Sequence, residues 1–92
     1  MAQVWAKSLP DQQMAVLLLN ADNATAPRTV AINVSKVVPP TVLRSVGRFD
    51  VLDMYNTSVP KLATVRRDGE LRAELGPQDS ALFLLKPAAS EQ

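Results

Sequence analysis

The sequence predicts an all-β fold: a two-sheet antiparallel β-sandwich of Greek-key-like connectivity with seven or eight strands. Three observations carry that prediction. Turn-forming residues cut the chain into short runs, the clearest run alternates apolar and polar residues, and none carries a convincing helical period. With 92 residues and 10.0 kDa, residues 1–92 form a single domain. That is far below the roughly 250 residues of a (β/α)8 barrel. Hydrophobic residues make up 47% of the chain, enough for a core of its own.

The elements follow in chain order. Gln3–Leu9 runs to Pro10-Asp11, and Gln13–Asn20 follows it. Ala21-Asp22-Asn23-Ala24-Thr25-Ala26-Pro27 is a turn cluster. Val30, Ile32 and Val34 then alternate with Ala31, Asn33 and Ser35, a half-buried strand that Pro39-Pro40 closes. Thr41–Val46 leads across Gly47 into Phe49–Tyr55, and Pro60 marks a further break. Leu62–Arg67 and Glu70–Leu75 flank Asp68-Gly69, which reads as a two-residue hairpin turn. Gly76-Pro77 precedes the last apolar run, Ala81–Leu85, and Pro87–Gln92 reads as a frayed end. Alternation assigns Val16, Leu18, Val30, Ile32, Val51, Leu71, Leu82 and Leu84 to the core.

Two runs, Met14–Leu19 and Ala81–Leu85, are apolar on both faces. A sandwich this small covers only the inner face of such a strand. The outer face is therefore expected to meet a partner, another domain or a second copy.

Composition excludes several kinds of chemistry. The chain has no Cys and no His, which removes thiol nucleophiles, disulfides, zinc fingers and imidazole-dependent triads. Lys and Arg total 10 against 9 for Asp and Glu, too even a balance for a nucleic-acid or anionic-membrane surface. The longest apolar run, Met14–Leu19, falls short of the ~20 residues of a membrane span. On a strand, Asp50 and Asp53 point to opposite faces, and Glu70 and Glu74 lie about 13 Å apart. Neither spacing suits a glycosidase acid pair. Glu70, Arg72 and Glu74 instead form a charge-compensated solvated stripe. No phosphate-cradling glycine loop and no metal-ligand spacing is present, so no catalytic, cofactor or metal residue is assigned. Arg66-Arg67 reads as edge-strand solubility.

One modification signal stands out. Three of the four Asn residues open an N-x-Ser/Thr sequon: Asn23, Asn33 and Asn56. All three are candidate glycosylation sites, with Asn33 on the polar face of its strand and the others at turns.

The strand order resembles that of the C-terminal β-sandwich domain of glycoside hydrolase family 27, the α-galactosidase (melibiase) family. Val4-Trp5-Ala6-Lys7-Ser8-Leu9 is similar to that family's opening strand, and Met14–Asn20 to the strand that follows. Thr29–Val34 matches the next. In Phe49–Tyr55, Asp53 stands in place and Tyr55 occupies a position where Trp is usual. Leu71–Leu85 resembles the closing strand pair. The likeness covers about residues 3 to 87 and implies an accessory role beside a (β/α)8 catalytic domain. The catalytic carboxylates of the family belong to that barrel, so this chain alone is not expected to be an enzyme. A homodimer is a further expectation, and a eukaryotic parent would be secreted or lysosome-like. Two rivals remain: a stand-alone carbohydrate-binding module and a homo-oligomeric interaction module. The sugar-binding reading expects an exposed Trp5 or Tyr55, and the accessory reading expects neither.

Overall fold

A computed structural model describes residues 2–20, 27–56, 58 and 62–88. Seven strands are present among them: β1 (Ala2–Leu9), β2 (Gln13–Asn20), β3 (Arg28–Asn33), β4 (Arg48–Asp53), β5 (Ala63–Arg66), β6 (Glu70–Leu75) and β7 (Ser80–Pro87). They form a five-stranded sheet in the order β1-β2-β7-β4-β5 and a two-stranded sheet of β3 and β6. Every pairing is antiparallel, as the sandwich reading requires.

The β1–β2 turn shows how local chemistry sets the register. Asp11 and Gln12 both have positive φ, 64° and 61°, and the Gln13 N–H donates to the Pro10 carbonyl at 3.4 Å. Two left-handed residues in succession match the right-handed twist of a tight hairpin. The β6–β7 turn uses Pro77 at its first central position and Gln78, φ 57°, at its second, with Asp79 N–H donating to the Gly76 carbonyl at 3.1 Å. That is the pattern of a type II turn.

Asp68-Gly69 is not the hairpin turn that the sequence suggests. Gly69 N–H does donate to the Arg66 carbonyl at 2.8 Å, but no glycine has positive φ. β5 pairs with β4 and β6 pairs with β3, so the turn carries the chain from one sheet to the other. Gly69 is there for room: a Cβ would stand 3.1 Å from the Arg66 carbonyl oxygen.

Between β3 and β4 the sequence reading also lacked two helical pieces. A 3-10 turn spans Val34–Lys36, and a six-residue helix, α1, spans Pro40–Ser45. Pro40 sits at a helix start, where its fixed φ suits the first turn and its missing N–H costs nothing. With so few residues, α1 shows no helical period for sequence reading to detect.

The core lies between the sheets. Met14, Val16 and Leu18 of β2, Val30 of β3, Phe49 and Val51 of β4, Leu71 and Leu75 of β6, and Phe83 and Leu85 of β7 are buried there. Val34, Val38 and Val46 join them from the intervening segment, and Ile32 packs on the edge of the cluster. Leu82 and Leu84, expected inside, face outward. β7 pairs with β2 so that Phe83 stands opposite Val16 and Leu85 opposite Met14. Residues facing each other across a ladder share a side of the sheet, and a one-residue change of phase exchanges the two sides.

The buried Asn20 closes one end of the core. Its side-chain amide donates to the carbonyls of Leu75 and Gly76, both at 3.1 Å, and its backbone N–H donates to Asp79 at 3.0 Å. The amide ties the end of β2 to the β6–β7 turn. Because the second sheet has only two strands, the larger sheet overhangs it on both sides. Ala2, Ala6 and Ser8 of β1 stay exposed on the inner side. Beside β5 a mostly apolar opening of about 220 Å³ remains, lined by Val51, Leu62, Val65, Leu71 and Phe83 and bordered by Glu70 and Arg72.

Candidate functional site

The outer face of the five-stranded sheet is the most distinctive surface of the molecule. Register gives its rows directly. Trp5 of β1 stands opposite Leu17 of β2, which stands opposite Leu82 of β7, and Met54 N–H donates to the Leu82 carbonyl at 2.9 Å. In the next row Lys7, Ala15, Leu84 and Leu52 face one another in turn. On the other side run Gln3, Leu19 and Ser80, and the Tyr55 hydroxyl shares a 2.8 Å hydrogen bond with Ser80 Oγ. The middle of this face is thus apolar across β1, β2, β7 and the end of β4.

Its two ends are polar in different ways. Asp53 Oδ1 accepts from the Tyr55 backbone N–H at 2.9 Å, which turns the chain at the end of β4 and sets the tyrosine on this side. At the opposite end, Asp50 faces Lys86 across the β4–β7 ladder and accepts from Thr64 Oγ1 at 2.9 Å. Beyond it, Arg48 of β4 stands directly opposite Arg66 of β5. Sequence reading missed this last juxtaposition, since Arg48 and Arg66 meet only through the pairing of β4 with β5.

The acidic residues do not converge. Asp50 lies on the outer face of the five-stranded sheet, while Glu70, Arg72 and Glu74 lie on the outer face of the other sheet. Glu70 and Arg72 come within 3.4 Å of each other, an exposed ion pair of the expected stripe. Among the described residues no group of three or more Asp or Glu side chains is placed to hold a metal ion.

Of the three sequons, Asn23 lies outside the described residues. Asn33 has a structural task. Its Oδ1 accepts from Ser35 N–H at 2.9 Å and from Ser35 Oγ at 2.7 Å, capping the 3-10 turn, and its Nδ2 donates to the Asp68 carbonyl at 3.1 Å. Asn56 is exposed, and its Oδ1 accepts from Ser58 Oγ at 2.6 Å.

Trp5 is 62% exposed and Tyr55 60%, contrary to the expectation attached to the accessory reading. A surface that docks onto another domain is also bare when that domain is absent, so exposure alone does not separate docking from sugar binding. The lining is more telling. A shallow depression of about 210 Å³ beside Trp5 is walled by Ala6, Lys7, Ala15, Leu17 and Leu82. Lys7 is its one polar side chain, and the Trp5 indole N–H already donates to Gln3 Oε1 at 3.2 Å. Sugar sites need several convergent polar groups beside the aromatic ring.

Comparison with known proteins agrees with this architecture. A family model described as the alpha galactosidase C-terminal beta sandwich domain matches residues 1–85. Two solved structures of a family-27 β-L-arabinopyranosidase from Geobacillus stearothermophilus, one with arabinose, share the fold with TM-scores of 0.69. They are 22% and 21% identical over 94% and 97% of this chain. A protein assigned as an α-N-acetylgalactosaminidase from Bacillus halodurans C-125 has a TM-score of 0.71, with 15% identity over 96% of this chain. This chain spans only 17–18% of the length of those proteins. Among curated proteins no match is found.

Proposed function

The chain belongs to the alpha galactosidase C-terminal beta sandwich domain family, and from that premise we propose that it is a non-catalytic accessory domain of a family-27-type glycoside hydrolase. It packs the outer face of its five-stranded sheet against a (β/α)8 catalytic domain of the same protein and supports that domain's stability and assembly. The observation that carries this reading is the apolar row of Trp5, Leu17, Leu82 and Met54 on a face that the described residues leave uncovered. An uncovered stripe of that kind reads as a docking surface. Among the described residues, Asp50 lies on one outer face of the sandwich and Glu70 and Glu74 on the other, so these candidate acids do not meet across one site.

The test uses the full-length protein. Leu17→Ser together with Leu82→Ser should lower the melting temperature and soluble yield of the enzyme, while kcat/KM of the folded fraction stays unchanged. A fall in kcat/KM with unchanged melting temperature would overturn the reading. So would a coding sequence upstream of Met1 that holds no barrel.

A second reading rests on the exposure of Trp5: a carbohydrate-binding module that uses the indole as a platform. Retention of the 92-residue chain on a galactoside resin, lost in Trp5→Ala, would favour it over docking.

Glycosylation belongs with these proposals. In a secretory host Asn56, exposed, is the readier acceptor of the two described sequons, since Asn33 has its amide nitrogen bonded to Asp68. Intact-mass spectrometry of Asn56→Gln and Asn33→Gln chains reads this directly.

A further inference from the structure

The docking face has one corner whose chemistry the apolar rows do not explain. Arg48 and Arg66 face each other directly across the β4–β5 ladder, both exposed. Their ladder neighbours Phe49 and Val65 point into the sandwich, which places the two arginines on the outer side. Side chains directly opposite on adjacent strands have Cβ atoms about 5 Å apart, and like charges placed so are destabilising. Little within the described residues offsets this. Arg66 Nε lies 3.8 Å from Asp68 Oδ1, an exposed pair at the long end of ion-pair distance. Asp50, in the next row, is the one carboxylate of β4 on this face; it accepts from Thr64 and faces Lys86, so its charge is shared with a third cation.

We infer that the Arg48–Arg66 pair is an oxyanion site. Its natural occupant is a carboxylate side chain on the surface that docks against the outer face. A guanidinium presents two parallel N–H donors that match a carboxylate or phosphate, and two arginines directly opposite on adjacent strands can turn that fork toward one anion. A carboxylate there would remove the like-charge repulsion and fix the orientation of the docked surface relative to the apolar rows. Electrostatic complementarity of this kind sets register more than raw affinity. The partner surface is therefore apolar opposite Trp5, Leu17 and Leu82 and acidic opposite the β4–β5 corner. The assignment rests on the docking reading, but its test reads the corner alone.

That test uses the 92-residue chain, with glutarate and inorganic phosphate as probes at constant ionic strength against sodium chloride. Glutarate should shift the Arg48 and Arg66 side-chain Nε–H resonances saturably and raise the melting temperature above the chloride control. Arg66→Gln and Arg48→Gln should each raise the melting temperature in low salt by about 1–5 °C and abolish the glutarate response. The second variant leaves the Arg66–Asp68 contact intact, so agreement between the two isolates the like-charge pair. Equal effects of glutarate and chloride, or a lower melting temperature in both variants, would overturn the site. A response to phosphate without one to glutarate would overturn the carboxylate assignment in favour of free phosphate. A response to glutarate alone, or to both anions, supports it. If the corner binds glutarate while the apolar-face variants leave the full-length enzyme unaffected, the docking reading fails and the oxyanion site stands.

Discussion

The two sides of strand β7 have nearly the same composition and opposite situations. Phe83 and Leu85 are buried between the sheets, while Leu82 and Leu84 lie half-covered on the outer face. Hydrophobicity does not distinguish them, and pairing does. Phe83 faces Val16 under the second sheet, and Leu82 faces Leu17 with no layer above it among the described residues. The same amino acid thus stabilises the domain on one side and remains available for association on the other.

The largest test of that contrast is Phe49→Ala on β4, where the ring is fully buried on the inner face. The loss should be about 3–5 kcal/mol, enough to abolish the cooperative urea transition of a domain this small. Next comes the pair that gives the contrast its sharpest form. Leu85→Ala should cost about 2–5 kcal/mol, whereas Leu84→Ala in the isolated chain should cost about 1 kcal/mol or less. Equal costs by chemical denaturation would mean that the outer face is covered in solution, and sedimentation would then reveal self-association.

Asn20 tests the rim of the core rather than a face. Asn20→Leu removes the amide that satisfies the Leu75 and Gly76 carbonyls. The expected loss is about 1–3 kcal/mol in a urea titration, together with faster amide exchange at Asp79. The smallest expected effect is at the hairpin that joins β1 to β2. Gln12 holds a left-handed conformation, so Gln12→Gly should stabilise by about 0.5 kcal/mol. A loss instead would mean that its side-chain bond to Ser45 Oγ, 2.9 Å, outweighs the relief.

Legibility in the sequence followed the same division. Where one face of a strand is polar, alternation carries phase, and Val30, Val51 and Leu71 stood out correctly as core. Ala81–Leu85 has no polar face, so its phase had to come from outside the run. Lys86 supplies it: an exposed lysine two positions beyond Leu84 places Leu84 and Leu82 on the outer side. For Asp68-Gly69 the turn was legible and its neighbours were not. A turn between two strands looks alike whether they pair with each other or enter different sheets. The outer apolar face could be read because Met14–Leu19 is continuous, whereas the Arg48–Arg66 corner arises from a pairing that no local pattern encodes.

The place of β7 in the chain has a consequence for synthesis. It is the last strand in sequence among the described residues, yet it sits in the middle of the larger sheet, between β2 and β4. In a growing chain that has not yet released Ser80–Pro87 from the ribosome, the larger sheet consists of two separate hairpins, β1–β2 and β4–β5, with an empty slot between them. Isolated two-stranded hairpins are marginal in water. The larger sheet therefore cannot close until β7 has been made. A message cut short before Ser80 would lack Phe83 and Leu85 and leave both hairpins with bare edges. Such products invite degradation, which makes completion of this last strand a check on completion of the whole polypeptide up to that point.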